Sequence, residues 1–167
     1  MLKRITLLRH AKSSHDNLSV ADHDRPLNKR GEQDAPIMAR RMLDRSARPS
    51  LILTSTAKRA RQTARRIARA INYPIDFLQS EPELYLANSK TILALIAKQD
   101  NQFNDIVVCA HNPGITDLAN HLCRAGIDNV PTCGIVMLEA DIDSWERLSE
   151  AGCTLIDFDY PKKQPTD

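Results

Sequence analysis

Ile106-Val107-Val108-Cys109-Ala110-His111-Asn112-Pro113-Gly114 is an unbroken apolar run that stops at a histidine and turns into a helix start. A run with no polar alternation fits a strand covered on both faces, the usual situation inside a parallel sheet. Pro113 suits a first helical turn, and Ile115, Leu118, Ala119 and Leu122 follow at helical spacing on one face. The same grammar appears near the amino end, where Ile5 to Leu8 breaks into Arg9-His10-Ala11. It appears again where Leu51 to Leu53 runs through Thr54-Ser55 into a basic helix carrying Ala60, Ala64, Ile67, Ala68 and Ile71 as its apolar stripe.

Working outward, Ile75 to Leu78 reads as a further short strand, and Ile92, Leu93 and Ile96 mark another helix. Asn28 to Leu43 is helical in period but contains Pro36, which predicts either a short turn followed by a second helix or a kink. After Thr132 the helical pattern ceases. Cys133 to Leu138, Trp145 to Leu148 and Thr154 to Phe158 read as three strands added antiparallel at one sheet edge. The expectation is an α/β fold with three layers, α/β/α, around a mostly parallel central sheet. One domain over residues 1–160 accounts for all these elements, and the polar, proline-containing tail 161–167 is expected to fray.

The composition, 42% hydrophobic and 26% charged over 167 residues, is that of a globular domain and not of a disordered or fibrous chain. The formal net charge of +2 says little, but its distribution is uneven. Residues 38–69 hold ten basic residues and one acid, whereas residues 139–159 hold seven acids and one base. One face should therefore be locally electropositive. Cys109, Cys123, Cys133 and Cys153 form no C-x-x-C pair and lie in or beside apolar runs, which fits reduced thiols. The apolar stretch after the first residues reaches Arg9 too soon for a signal peptide, and no run approaches membrane-spanning length. The expected compartment is cytoplasmic, with no membrane partner.

Ligands of open parallel sheets bind beyond the carboxyl ends of the strands, and His10 and His111 fall at two such ends. Arg59 arrives at a third, in the first turn of the basic helix. Arg9, His10, Arg59 and His111 together describe fixed positive charge around an imidazole, a pocket suited to a phosphoryl group. Nearby guanidinium groups disfavour imidazolium, so a ring nitrogen of His10 is free to act as a nucleophile. A backbone acceptor on the other ring nitrogen would fix the tautomer. His15, His23 and His121 lack comparable support and are read as structural or surface residues. No metal-ligand spacing accompanies His10 or His111, so neither metal nor cofactor is expected.

Arg9-His10, Ser55-x-Ala57-x-Arg59-Ala60-x-Gln62-Thr63 and His111-Asn112-Pro113-Gly114 resemble the histidine phosphatase superfamily. Arg9 to Ser14, Asp24-Arg25-Pro26-Leu27-Asn28-Lys29-Arg30-Gly31 and Glu83-Leu84-Tyr85 resemble its short SixA-type phosphohistidine phosphatases. The resemblance covers nearly all of residues 4–158 and implies a phosphoglycerate mutase-like fold. It implies that His10 is transiently phosphorylated, that Arg9, Arg59 and His111 surround the phosphoryl group, and that water completes hydrolysis. Arg25 matches the arginine of the R-P-L segment, a secondary candidate for substrate binding. Glu83 is the acidic candidate by motif, either the general acid for an oxygen leaving group or a structural residue. Ala11 stands where many members have glycine, and His15 where SixA-like chains often have tryptophan, which bears on the rim that meets substrate.

The expected substrate is phosphohistidine in a protein, such as one with a histidine phosphotransfer domain, or a small phosphomonoester. A mutase-like phosphotransferase is the alternative enzyme, but the short chain leaves little room for the extra segments of larger mutases. A non-catalytic protein binding RNA or a phospho-ligand through the basic face is the other class. Three Phe, three Tyr and one Trp offer little for base stacking, and no nucleic-acid partner is expected.

Overall fold

A computed structural model describes residues 1–164; residues 165–167, the end of the expected tail, lie outside the described residues. Six strands form one sheet in the order β3-β2-β4-β1-β5-β6. These are β1 (Leu2–Arg9), β2 (Leu51–Ser55), β3 (Gln79–Glu81), β4 (Asp105–Ala110), β5 (Ile135–Asp141) and β6 (Thr154–Asp159). The first four in spatial order are mutually parallel, and β5 and β6 add antiparallel beside β1. The helices are α1 (Lys29–Asp44), α2 (Lys58–Ala70), α3 (Ser89–Ala97), α4 (Gly114–Cys123) and the short α5 (Leu148–Ala151).

Two apolar clusters, one on each face of the sheet, explain the unbroken character of β4. Val107 and Cys109 pack with Met38, Ala39, Ala60, Ala64 and Ile67 from α1 and α2. Ile106, Val108 and Ala110 pack with Ile92, Ile96, Ile115 and Leu118 from α3 and α4. Successive side chains of a strand point to opposite faces, so a doubly covered strand must be apolar at every position. The connection from β1 through α1 leads to β2 on one side, and that from β4 through α4 leads to β5 on the other. Neighbouring strands whose connections diverge open a crevice at their carboxyl ends, the position at which α/β sheets bind ligands.

Two expected elements differ, and at a third one of two alternatives is excluded. Ile75 to Leu78 is not a strand: Ile75–Phe77 is a 3-10 turn, held by the Tyr73 hydroxyl donating to the Phe77 carbonyl at 3.0 Å, and the strand follows at Gln79–Glu81. Trp145 to Leu148 is likewise a 3-10 turn leading into α5. Trp145 and Leu148, three residues apart, both enter the core on the α3/α4 side, and the indole N–H donates to the Phe103 carbonyl at 2.9 Å. Spacings of three and two are hard to separate in a four-residue window. At Pro36, of the two expected alternatives, the short turn followed by a second helix is not found: α1 is one helix running through Pro36, and Ala35, Met38, Ala39 and Met42 bury a continuous face.

All four cysteines are free, with Cys109 and Cys133 buried. Among the described residues no helix is long and apolar enough to cross a membrane.

Candidate active site

The pairing of β1 with β4 sets Leu8 opposite Cys109 and Arg9 opposite Ala110, so the next residues, His10 and His111, leave the sheet side by side. The His10 amide donates to the Ala110 carbonyl at 3.1 Å, and the two ring centroids lie 5.2 Å apart. Pairing of β2 with β4 brings Ser55 to the same edge, and α2 starts just beyond it with Arg59 in its first turn. The resulting cavity, about 350 Å³, is lined by Arg9, His10, Arg25, Arg59 and His111 together with rim residues such as Lys12 and His15. The structure therefore brings the four central candidates together and sets Arg25 beside them.

Hydrogen bonding fixes the tautomer of His10 and pairs His111 with a serine hydroxyl. His10 Nδ1 lies 2.7 Å from the Ala11 carbonyl, which can only accept, so Nδ1 carries the proton and Nε2 presents a lone pair. Arg59 Nε lies 3.4 Å from that Nε2. Burial is the main cause that depresses the His10 pKa to about 4, with the guanidinium charges of Arg59, Arg9 and Arg25 adding to it. Desolvation thus outweighs the arginine effect expected from sequence. The His111 pKa is depressed to about 3 by burial first, then by His10 and Arg59. Its Nε2 lies 2.7 Å from Ser55 Oγ, which already accepts the Ala57 amide at 3.2 Å. When the Ser55 hydroxyl donates to His111 Nε2, the proton of His111 sits on Nδ1.

His111 Nδ1 and Arg9 Nε are buried nitrogens without a protein partner among the described residues, Arg9 Nε a donor always and His111 Nδ1 a donor when Ser55 donates to Nε2. Arg9 is otherwise anchored through its NH1 on the Val130 carbonyl at 3.0 Å. Buried donors are rarely left unpaired, because each costs about 1–3 kcal/mol. Two of them on residues lining one cationic cavity suit an anion with several oxygen acceptors.

Arg25 donates through NH1 to Ser13 Oγ at 2.6 Å and lies 3.2 Å from His15 Nε2, placing both it and His15 at the rim. Glu83 is exposed in the 3-10 turn Pro82–Leu84 and is not among the residues lining the cavity. The acidic group that does reach the arginines is Asp22, which the sequence reading missed. Its carboxylate accepts from Arg25, Arg59 and Tyr85, and these partners hold its pKa well below the usual carboxylate range. The one sequence signal for it is its place three residues before Arg25.

The remaining motif residues work as braces. Thr63 Oγ accepts the Ala11 amide at 2.9 Å and donates to the Arg59 carbonyl at 2.7 Å, coupling the two functional segments. Gln62 Oε1 accepts the Leu27 amide at 2.8 Å, tying the R-P-L segment to α2. A Cβ on Gly31 would lie 2.2 Å from the Lys12 carbonyl oxygen, so glycine there lets α1 rest against the residues after His10.

Residues 5–86 match the sequence profile of the Histidine phosphatase superfamily (branch 1). An uncharacterized chloroplastic protein of Arabidopsis thaliana is 34% identical over 153 residues, which span 87% of this chain and 70% of that protein. Among solved structures, a protein assigned as the phosphohistidine phosphatase SixA of Agrobacterium tumefaciens superposes with a TM-score of 0.81 at 34% identity, covering 95% of this chain and 98% of that one. A second protein so assigned, from Nakamurella multipartitia, superposes with a TM-score of 0.85 at 24% identity over 98% of both chains, a likeness of fold.

Proposed function

The chain belongs to the histidine phosphatase superfamily, and from that premise we propose that it hydrolyses phosphohistidine in a phosphorylated protein through a covalent intermediate on His10. The observation that carries this reading is the pair of unpartnered buried nitrogens, His111 Nδ1 and Arg9 Nε, around a neutral His10 whose unprotonated Nε2 faces only the Arg59 Nε, at 3.4 Å. In the first step Nε2 attacks phosphorus while the bond from phosphorus to the substrate's ring nitrogen breaks and its electron pair stays on that nitrogen. Arg9, Arg59 and His111 offset the charge on the phosphoryl oxygens. In the second step water attacks phosphorus, the phosphorus–Nε2 bond breaks with its pair returning to His10, and the water proton leaves with phosphate or solvent.

The leaving group favours nitrogen over oxygen. A phosphohistidine ring protonated on its other nitrogen leaves as neutral imidazole and requires no acid from the protein. An alkoxide leaving from an ordinary ester requires one. No carboxylic acid lines the cavity among the described residues, and Asp22 is held ionised by its partners. We therefore assign Glu83 a structural role and Arg25 a role in receiving the substrate at the rim.

The test is turnover of a phosphohistidine-bearing protein and of phosphoramidate, with chelator present, against an alkyl phosphomonoester. Nitrogen-linked substrates are expected to turn over about 100-fold faster, and an acid-labile phosphoenzyme should be trapped in the wild type and not in His10→Ala. Equal turnover by wild type and His10→Ala would remove the enzyme reading, and a preference for the alkyl ester would remove the phosphohistidine assignment.

A further inference from the structure

One carboxylate, Asp22, is shared by two arginines of the pocket. Its Oδ1 accepts from Arg25 Nε at 3.2 Å and NH2 at 3.0 Å, and its Oδ2 accepts from Arg59 NH2 at 3.1 Å and from the Tyr85 hydroxyl at 2.5 Å. The Asp22 backbone carbonyl accepts from Arg59 NH1 at 2.7 Å. The turn that carries Asp22 is pinned by its neighbour, His23, whose Nε2 lies 2.9 Å from Thr56 Oγ just ahead of α2. The Tyr85 ring meets both His23 and His111 edge-on, at 4.7 and 5.7 Å between centroids.

A guanidinium group is a rigid plane with five donors, so fixing one edge fixes the direction of the others. Both terminal nitrogens of Arg59 are taken by Asp22, one by its main chain and one by its side chain, and the Nε side is what remains toward His10. Arg59 is only 3% exposed, so solvent offers its fork little alternative. Arg25 is used the other way round: Asp22 takes its Nε and NH2, leaving NH1 for Ser13 and His15 at the rim.

We propose that Asp22 is a positioning residue for phosphoryl transfer, turning the Nε edge of Arg59 onto the transferred group while holding Arg25 at the rim. This rests on the phosphatase reading above. Asp22 touches neither phosphorus nor the leaving group; it acts through Arg59. Its negative charge also opposes binding of ground-state phosphate, so the two effects of removing it have opposite signs. Losing the aim of Arg59 slows the transition state, whereas losing the charge strengthens a bound anion.

The test is Asp22→Asn, which keeps the size and one acceptor of the side chain. For hydrolysis of phosphoramidate, kcat is expected to fall about 10- to 100-fold, while inorganic phosphate inhibits as well as in the wild type or better. Tyr85→Phe, which removes one bond to Asp22 and leaves both arginine contacts, should lose less than Asp22→Asn and carries the test if that variant does not fold. A kcat within twofold of wild type in both variants would overturn the proposal. So would weaker phosphate inhibition in step with the loss of kcat, the pattern of a merely structural residue. If the wild type shows no turnover, the phosphatase reading fails by itself. Phosphate titration by calorimetry then still decides the role of Asp22: equal or tighter binding by Asp22→Asn supports it, and weaker binding overturns it.

Discussion

Ser55 shows how much depends on a single proton. Its hydroxyl accepts the Ala57 amide and faces His111 Nε2 at 2.7 Å; when it donates there, the proton of His111 sits on Nδ1, the nitrogen left without a protein partner. Ser55→Ala would free Nε2 and let the other tautomer compete, replacing a donor by a lone pair where phosphoryl charge develops. The expected result is a fall in kcat/KM on phosphoramidate of about 10- to 100-fold with the fold retained, checked by steady-state kinetics beside circular dichroism. Activity within twofold of wild type would show that something else sets the tautomer. Ser55 was visible in the sequence as part of a motif, but no spacing rule assigns a serine to the back of a histidine. That role follows only once β2 and β4 are paired.

At the scale of elements, the site is a product of close approach. α4 begins at Gly114 directly after the His111 segment, and a Cβ there would lie 2.1 Å from the Ala87 carbonyl oxygen and 3.0 Å from Ile92 Cδ1. The first obstacle is backbone, which cannot turn aside as a flexible side chain can. Gly114→Ala should therefore cost about 3 kcal/mol, measured by urea unfolding, and should lower activity through displacement of His111. An unchanged urea midpoint would show that the α3–α4 contact yields easily. Sequence patterning found α2, α3 and α4 because each has a helical apolar stripe. It misplaced the third strand and made a strand of Trp145 to Leu148, because short apolar runs carry no usable period. At Pro36 the sequence left a broken helix or a kinked one open, and the buried face of α1 keeps the helix unbroken despite the missing amide.

For the whole molecule, the buried histidines couple the site to stability. His10 and His111 have folded pKa values depressed to about 4 and about 3, against an ordinary value of 6.5. The unfolded chain thus binds more protons than the folded one below about pH 6.5. The stabilisation is complete above that pH and is lost as pH falls toward 4 and then 3. For His10 alone the loss is on the order of 3 kcal/mol across that window. Urea midpoints should fall between pH 7 and pH 5, and His10→Gln should flatten part of that slope. A midpoint independent of pH over this range would show that the two rings are charged or solvated when folded. The same low values predict that kcat/KM stays level down to about pH 5, since His10 Nε2 keeps its lone pair there.

The sequence by itself determined the layered α/β architecture and marked Arg9, His10 and His111 as candidates, because apolar period and strand-end position are local properties written along the chain, while Arg59 stood out from its basic neighbours only through the motif it shares with Ser55, Gln62 and Thr63. Tertiary structure alone decided that Asp22 joins Arg59 and Arg25, that Ser55 stands behind His111, and that Glu83 lies outside the cavity. Those facts concern polar atoms brought together from turns far apart in the chain. Their meeting depends on strand register and on how the intervening loops close, and neither leaves a period in the sequence.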